Sequence, residues 1–192
     1  DLEIEYVDRI INKIKSDPEP DDVKATELEL WENVKRVATA SRRTGCGFTA
    51  LGDTLAALGL KYDSDEGIKM IEMLSKKKMK AELDCTIDLA VLRGTFEGWD
   101  PNLEIGDAKN TFYDFIAENF TEQWSRMCKY GRRNVSWSTV APTGSLSIMA
   151  KLQKYSNVTS GLEPVFAPFY MRRKKVNASD KTARVDFTDQ NG

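Results

Sequence analysis

The chain has 192 residues, 41% of them hydrophobic and 30% charged, with a formal net charge of −2. That length can bury a sizeable core, and the composition excludes a disordered segment. The charge gives no general pull toward nucleic acid or an anionic membrane, and the absence of histidine excludes imidazole bases, Ser-His-Asp triads and His-ligated zinc from this chain.

Residues 2–16, "LEIEYVDRIINKIKS", place Leu2, Ile4, Val7, Ile10, Ile11 and Ile14 at helical spacing. This start has neither the basic nor the apolar region of a signal peptide, and no run approaches the ~20 apolar residues of a membrane span. It also lacks an initiator Met, so the chain reads as an internal piece of a longer polypeptide. Pro18 and Pro20 break the first helix, and a second is expected from about Asp21 to Thr39. "TALGDTLAALG" puts Leu51, Leu55 and Leu58 on one face of a short third helix, with Gly59 as its stop.

The longest helical pattern runs over residues 62–96. Asp63 and Glu66 have the spacing of a capping box, and Ile68, Ile71, Met79, Leu83 and Ile87 continue an apolar stripe. Lys76, Lys77, Lys78 and Lys80 sit beside Glu72, Glu82 and Asp84, which reads as a solvated helix face rather than a nucleic-acid patch. A loop, "EGWDPNLEIGD", leads to "AKNTFYDFIAENF" and then to "TEQWSRMCKYG", a helix expected to be capped by Thr121 and ended by Gly131. The pattern then turns β-like in "RNVSWSTVAP", "EPVFAPFYMRRKKV" and "ARVDF". The fold class expected is therefore α/β, a helix-rich block followed by strands.

The three cysteines, Cys46, Cys85 and Cys128, form no CxxC pair, which argues against a disulfide framework or thiolate zinc and for a reducing cytoplasm. Each reads as a small buried hydrophobe. Arg42-Arg43, Arg132-Arg133 and the basic run at 172–175 read as exposed ends of helices and strands. The alternative is that one of them neutralises a bound anion. Trp137, Phe166, Phe169 and Tyr170 read as apolar wall.

The junction "NVSWSTVAPTGSLSIMA", residues 134–150, bears most directly on function. Pro142 cannot extend a sheet ladder, Thr143-Gly144 supplies a tight turn, and Ser145 is suited to cap a following helix. Locally this is either a plain capped turn or an anion cradle of free N–H groups at a helix start. It is not a nucleoside-triphosphate loop of the GxxxxGK[ST] kind.

Three segments in order, "SRRTGCGFTALGDTLAALGLKYDSDEG" at 41–67, "KYGRRNVSWSTVAPTGSLSIMA" at 129–150 and "TSGLEPVFAPFYMRRKKV" at 159–176, resemble the catalytic large subunit of ribonucleotide reductases. The resemblance implies that residues 1–192 are a single partial domain. Residues 1–131 are then a helical layer, and 132–192 are strands of a ten-stranded α/β barrel. It implies reduction of ribonucleotides by thiyl-radical chemistry, with the substrate phosphates held at Pro142, Thr143, Gly144, Ser145, Leu146 and Ser147. The family's radical cysteine lies in an N-x-C-x-E segment that this chain does not contain, so no catalytic residue and no metal ligand is expected here. The motif wording is closer to the adenosylcobalamin-dependent class. The other source of the radical is a separate metal-containing subunit, and neither cofactor is expected to bind this stretch. The implied partners are a ribonucleotide and the remaining segments of a homodimeric, cytoplasmic catalytic subunit. Two other readings remain: a non-catalytic nucleotide-phosphate module and a helical interaction domain.

Overall fold

In a computed structural model that describes residues 1–105, 110–150 and 161–164, eight helices follow one another. They are α1 (Leu2–Ser16), α2 (Asp21–Ser41), α3 (Leu51–Ala57), α4 (Asp65–Arg93), α5 (Pro101–Glu104), α6 (Thr111–Asn119), α7 (Thr121–Tyr130) and α8 (Gly144–Met149). None is long and apolar enough to cross a membrane.

Helix α4 is the spine, and its sequence carries three stripes rather than one. Met79, Leu83 and Ile87 enter the core beside Tyr113 and Ile116 of α6, Phe120, Met127 of α7, and Trp137. Lys80, Asp84 and Asp88 face α7. There Gln123 Nε2 and Arg126 Nη1 donate to Asp84 Oδ1 at 2.9 and 2.8 Å, and Arg126 also pairs with Asp88. Burial tends to raise the Asp84 pKa, but the bonds from Gln123 and Lys80 and the charges of Lys80 and Arg126 hold it below its ordinary 3.8. The third stripe, Lys78, Glu82 and Thr86, recurs every four residues and faces the extended chain after α7.

The α/β expectation is corrected here. Among the described residues there is no strand, only a single parallel bridge between Cys46 and Ser138. Cys46 N donates to Trp137 O, and Thr139 N to Cys46 O, both at 3.0 Å. The next donor, Thr44 N, reaches Ser136 O at 2.9 Å, which breaks the two-residue repeat of a parallel ladder. Upstream, Arg133 N and Val135 N are already taken by Thr86 O and Ser41 O. β-prone side chains therefore lie on extended backbone that lacks a continuous partner. Beyond Glu163 and Pro164, the two later β-like segments lie outside the described residues, as do the basic run at 172–175 and residues 166, 169 and 170.

Several local expectations also shift. Ser64, not Asp63, caps α4, its Oγ accepting from Gly67 N at 3.1 Å. Phe120 is the N-cap of α7, and the Thr121 hydroxyl instead donates back to Ala117 O. The loop after α4 contains α5, started by Asp100 and Pro101. Leu51 and Leu55 are buried, but Leu58 falls at the end of α3 and is 55% exposed. Leu2 and Ile68 are likewise exposed. All three cysteines are free and exposed rather than buried, because each sits on the outward side of its segment. Partial burial pushes the Cys128 thiol above its ordinary pKa, so it is not activated.

Arg132 and Arg133 are not exposed ends. Arg132 is 5% exposed and holds the turn between α7 and the extended segment. Its Nη1 donates to Asn134 O and Val135 O, both at 2.6 Å. Its Nη2 donates to Glu104 Oε2 at 2.7 Å and Tyr113 Oη at 2.9 Å. The guanidinium lies 5.0, 5.6 and 5.1 Å from the rings of Phe96, Trp99 and Trp137. Arg133 caps the other end of α4, donating to the carbonyls of Arg93, Gly94 and Thr95. With both side chains engaged, neither is available for an anion at 142–147.

Tyr113 donates to Glu104, and its hydroxyl is pushed up to about 12 by burial first and by the neighbouring carboxylate second. Its folded pKa lies above the ordinary 10.0, so the native state favours the neutral phenol. This contribution is complete below pH 10.0 and is lost as pH rises through about 12. The urea midpoint is expected to fall across that window by an amount equivalent to roughly 1–3 kcal/mol. Tyr113→Phe is expected to flatten the fall; an equally steep fall in this variant refutes the assignment to Tyr113.

Candidate functional site

The junction at 142–147 is built from two chain corners that meet. Ala50 (φ 60°) and Thr143 (φ 54°) are both left-handed, and each stands immediately before a short helix, α3 and α8 respectively. Such conformations cost non-glycine residues energy and persist where the surroundings hold them. Here the Thr143 hydroxyl donates to Thr49 Oγ1 at 3.2 Å and ties the corners together. Residues 161–164 pass between them. Ala50 N donates to Gly161 O at 2.6 Å, Gly52 N to Leu162 O at 3.0 Å, and Leu162 N to Pro142 O at 3.2 Å.

Glycine is required at two of these approaches. Gly161 has φ +137°, and a Cβ there meets Pro142 O at 2.1 Å. A Cβ on Gly52 meets the backbone of Pro164 at 2.6 Å. Both contacts are backbone, so neither can yield by turning a side chain.

Pro142 is exposed and its carbonyl is used by Leu162. Thr143 is the N-cap of α8, two residues earlier than the expected Ser145, and no side chain caps this helix. The first helical donor with a partner is Ser147 N, bonded to Thr143 O at 2.9 Å. The N–H groups of Gly144, Ser145 and Leu146 precede it and have no helical acceptor. All three residues are exposed, and a Cβ on Gly144 meets nothing within 4 Å. Ser147 is buried and its hydroxyl donates to Gly144 O at 2.6 Å. Of the three candidate hydroxyls, Thr143 and Ser147 are engaged within the loop, and Ser145 alone faces outward unbonded among the described residues.

A support that the sequence did not flag lies below this loop. Lys78 turns inward from the lysine cluster, its side chain 13% exposed. Its ammonium donates to Ser138 Oγ at 2.7 Å, stands 5.5 Å from the Phe48 ring, and lies 2.6 Å from the Glu82 carboxylate, itself 9% exposed. It thus touches both segments that lead into the two corners. The Glu82 contact is an ion pair without hydrogen-bond geometry, and neither Glu82 oxygen has a hydrogen-bond partner. Lys76 and Lys80, by contrast, do form the solvated i,i+4 pairs expected of the cluster, with Glu72 and Asp84. The missed signal is the buried i,i+4 spacing of Lys78, Glu82 and Thr86.

Asn134 completes the frame. Its side chain accepts from Thr86 Oγ1 at 2.9 Å and donates to Arg42 O at 2.7 Å, and its N–H donates to Thr86 Oγ1 at 3.2 Å. This 7%-exposed residue joins α4, the end of α2 and the segment running to the loop.

Two outcomes follow. Lys78→Met leaves the Glu82 carboxylate buried without its cation, at an expected cost of about 3–5 kcal/mol in chemical denaturation, and Lys78→Met/Glu82→Met recovers most of it. A single variant as stable as the parent excludes this role. Gly161→Ala is expected to cost about 1–3 kcal/mol and to speed hydrogen exchange at 143–147. Unchanged exchange there means that the 161–164 segment does not brace the loop.

Comparison with known proteins adds an independent line. The family model described as ribonucleotide reductase, barrel domain, matches residues 22–189. The chain is 31% identical over 153 residues to a vitamin B12-dependent ribonucleoside-diphosphate reductase of Mycobacterium tuberculosis, covering 79% of this chain and 18% of that protein. It is 29% identical over 152 residues to a vitamin B12-dependent ribonucleotide reductase of Rhodopirellula baltica, covering 71% and 14%. It is 22% identical over 134 residues to a ribonucleoside-diphosphate reductase subunit alpha of Treponema pallidum, covering 70% and 15%. The chain thus spans less than a fifth of the length of each of these relatives.

Proposed function

Because the chain belongs to the ribonucleotide reductase barrel-domain family, we propose that it is a partial domain, residues 1–192, of a catalytic subunit that reduces ribonucleotides to deoxyribonucleotides. Within that subunit its task is to grip the substrate's phosphates at Pro142, Thr143, Gly144, Ser145, Leu146 and Ser147. The observation that carries this reading is the outward-facing start of α8: among the described residues, three consecutive N–H groups have no helical acceptor, one hydroxyl is unbonded and the space over Gly144 is open. Backbone N–H groups at a helix start favour an anion, and the partial positive charge there adds to them.

The roles divide by residue. Gly144, Ser145 and Leu146 present main-chain donors, and Ser145 adds its hydroxyl without adding charge. Thr143 fixes the corner through Thr49, and Ser147 closes the first turn through Gly144 O. Pro142 ends the extended segment and lends its carbonyl to Leu162. None of these groups does redox chemistry. They bind and orient, so that the ribose is held where groups from elsewhere in the subunit act.

Adenosylcobalamin is the cofactor proposed for the complete enzyme, on the names of the B12-dependent relatives; it supplies the initiating radical. We assign the cofactor to other segments of the subunit, and no step at the loop runs through it. Ribonucleoside diphosphate is the proposed substrate level, as in the names of the mycobacterial and treponemal relatives. A homodimeric, cytoplasmic enzyme is part of the same proposal.

The test is titration of the chain with a nucleoside diphosphate, read by calorimetry and by hydrogen exchange. Protection is expected at the amides of 143–147. Ser145→Asp places a carboxylate beside the phosphates and is expected to weaken binding at least about tenfold, near 1.4 kcal/mol. Absence of protection at these amides in the parent chain refutes the assignment of the loop. The chain alone is expected to reduce no ribonucleotide in a radical-generating assay; turnover would falsify the absence of reacting groups.

A further inference from the structure

Helix α4 and the extended chain after α7 run side by side in opposite directions, pinned at two points. Thr86 holds Asn134 through its hydroxyl, and Lys78 holds Ser138 by donating from its ammonium to Ser138 Oγ at 2.7 Å. The two spans match: from residue 86 back to 78 a helix covers about 12 Å, and from 134 to 138 an extended chain covers about 13 Å. One pin leaves the register of the extended chain free, and two pins at matched spans fix it. Trp137 also anchors this segment in the core. Apolar packing is non-directional and sets depth, whereas a charge-assisted hydrogen bond sets register.

Lys78 is the pin nearer the loop, and it reaches further than Thr86. Its ammonium also stands 5.5 Å from the centre of the Phe48 ring. Phe48 adjoins Thr49, whose hydroxyl accepts from Thr143. Three backbone bonds join the segments around 44–46 and 136–139 among the described residues. They approach so closely that a Cβ on Gly45 or Gly47 meets the Thr139 side chain at 3.2 or 3.3 Å. The Lys78 side chain is 13% exposed and its charge is matched by Glu82 at 2.6 Å. A buried ion pair gives little net stability over an apolar pair of similar size, so what distinguishes Lys78 is the geometry it imposes.

We propose that Lys78 is a positioning residue of the phosphate loop. By holding Ser138 and Phe48 from one ammonium, it sets the spacing of the corners at Thr143 and Ala50. That spacing in turn aims the N–H groups of Gly144, Ser145 and Leu146. Lys78 acts through these two segments and not as a ligand. This role rests on the reading of 142–147 as the phosphate loop.

The test compares three variants of the full chain by hydrogen exchange without ligand and by calorimetric titration with a nucleoside diphosphate. Lys78→Met/Glu82→Met removes both charges, keeps the alkyl packing and is expected to fold with a melting temperature near the parent's. Its Thr139 and Ser147 amides are expected to exchange about tenfold faster, with exchange in the core of α4 unchanged. Its affinity for the nucleotide is expected to fall about three- to tenfold, because the donors must now be ordered on binding. Ser138→Ala keeps the ion pair and loses only the acceptor, so it carries the same test without touching a buried charge and is expected to show both effects. Ser138→Thr keeps the hydroxyl and is expected to match the parent. Unchanged exchange at Thr139 and Ser147 in the double variant and in Ser138→Ala overturns the proposal. So does faster exchange with unchanged affinity, which leaves Lys78 a structural residue only. If the parent chain itself binds no nucleoside diphosphate, the reading of the loop fails and this role with it; if the parent binds and these variants bind equally well, this role alone fails.

Discussion

The buried guanidinium of Arg132 is the constraint on which the rest of the described structure depends. A charge removed from water must be matched by geometry, and this one has two carbonyls, a carboxylate, a phenol and three ring faces around it. Those partners come from α5, α6, the loop after α4 and the extended chain beyond α7. One side chain thus fixes the angle at which residues 134–139 leave the helical layer. Its Nε is buried without a partner, which places this turn among the less tolerant positions of the molecule.

From that turn the order passes along α4. Its Lys78–Glu82–Thr86 stripe receives the departing chain at Ser138 and at Asn134. The adjoining apolar stripe buries Leu83 and Ile87, and the third stripe binds α7 through Asp84. A helix engaged on three sides cannot slide or rotate without breaking contacts on at least one of them. The loop at 142–147 inherits this rigidity through Lys78, which braces both segments leading to the left-handed corners at Ala50 and Thr143. Pre-organised donors bind an anion without first ordering themselves, which is the physical advantage such a frame would give the proposed phosphate grip.

Family membership and loop geometry are separate arguments. The family match spans residues 22–189 as a whole and singles out no residue of the loop. The geometry leaves the first N–H groups of α8 exposed and, among the described residues, without a helical acceptor. Chemistry is another matter: the chain has no histidine, and its three thiols are exposed and scattered rather than gathered at the loop. Under the proposed function, holding a substrate and transforming it fall to different stretches of a longer polypeptide.

Sequence by itself determined the helices, because amphipathic spacing is a local property. The bounds of α1, α2, α4 and α7 fall within a few residues of the periodic runs, and the Pro142-Thr143-Gly144 turn sits where its residue types place it. It also marked the family, since three ordered motifs survive without any knowledge of contacts. Tertiary structure alone decided which charges are buried. Arg132, Arg133 and Lys78 look like surface cations in the sequence, and only their assembled partners take them out of water. It decided too that residues 134–141 form no strand among the described residues, since β-propensity gives an extended backbone but a ladder needs a neighbour in register. The same holds for Gly161 and Gly52, whose necessity comes from backbone atoms that lie far away in the sequence and close only in the fold.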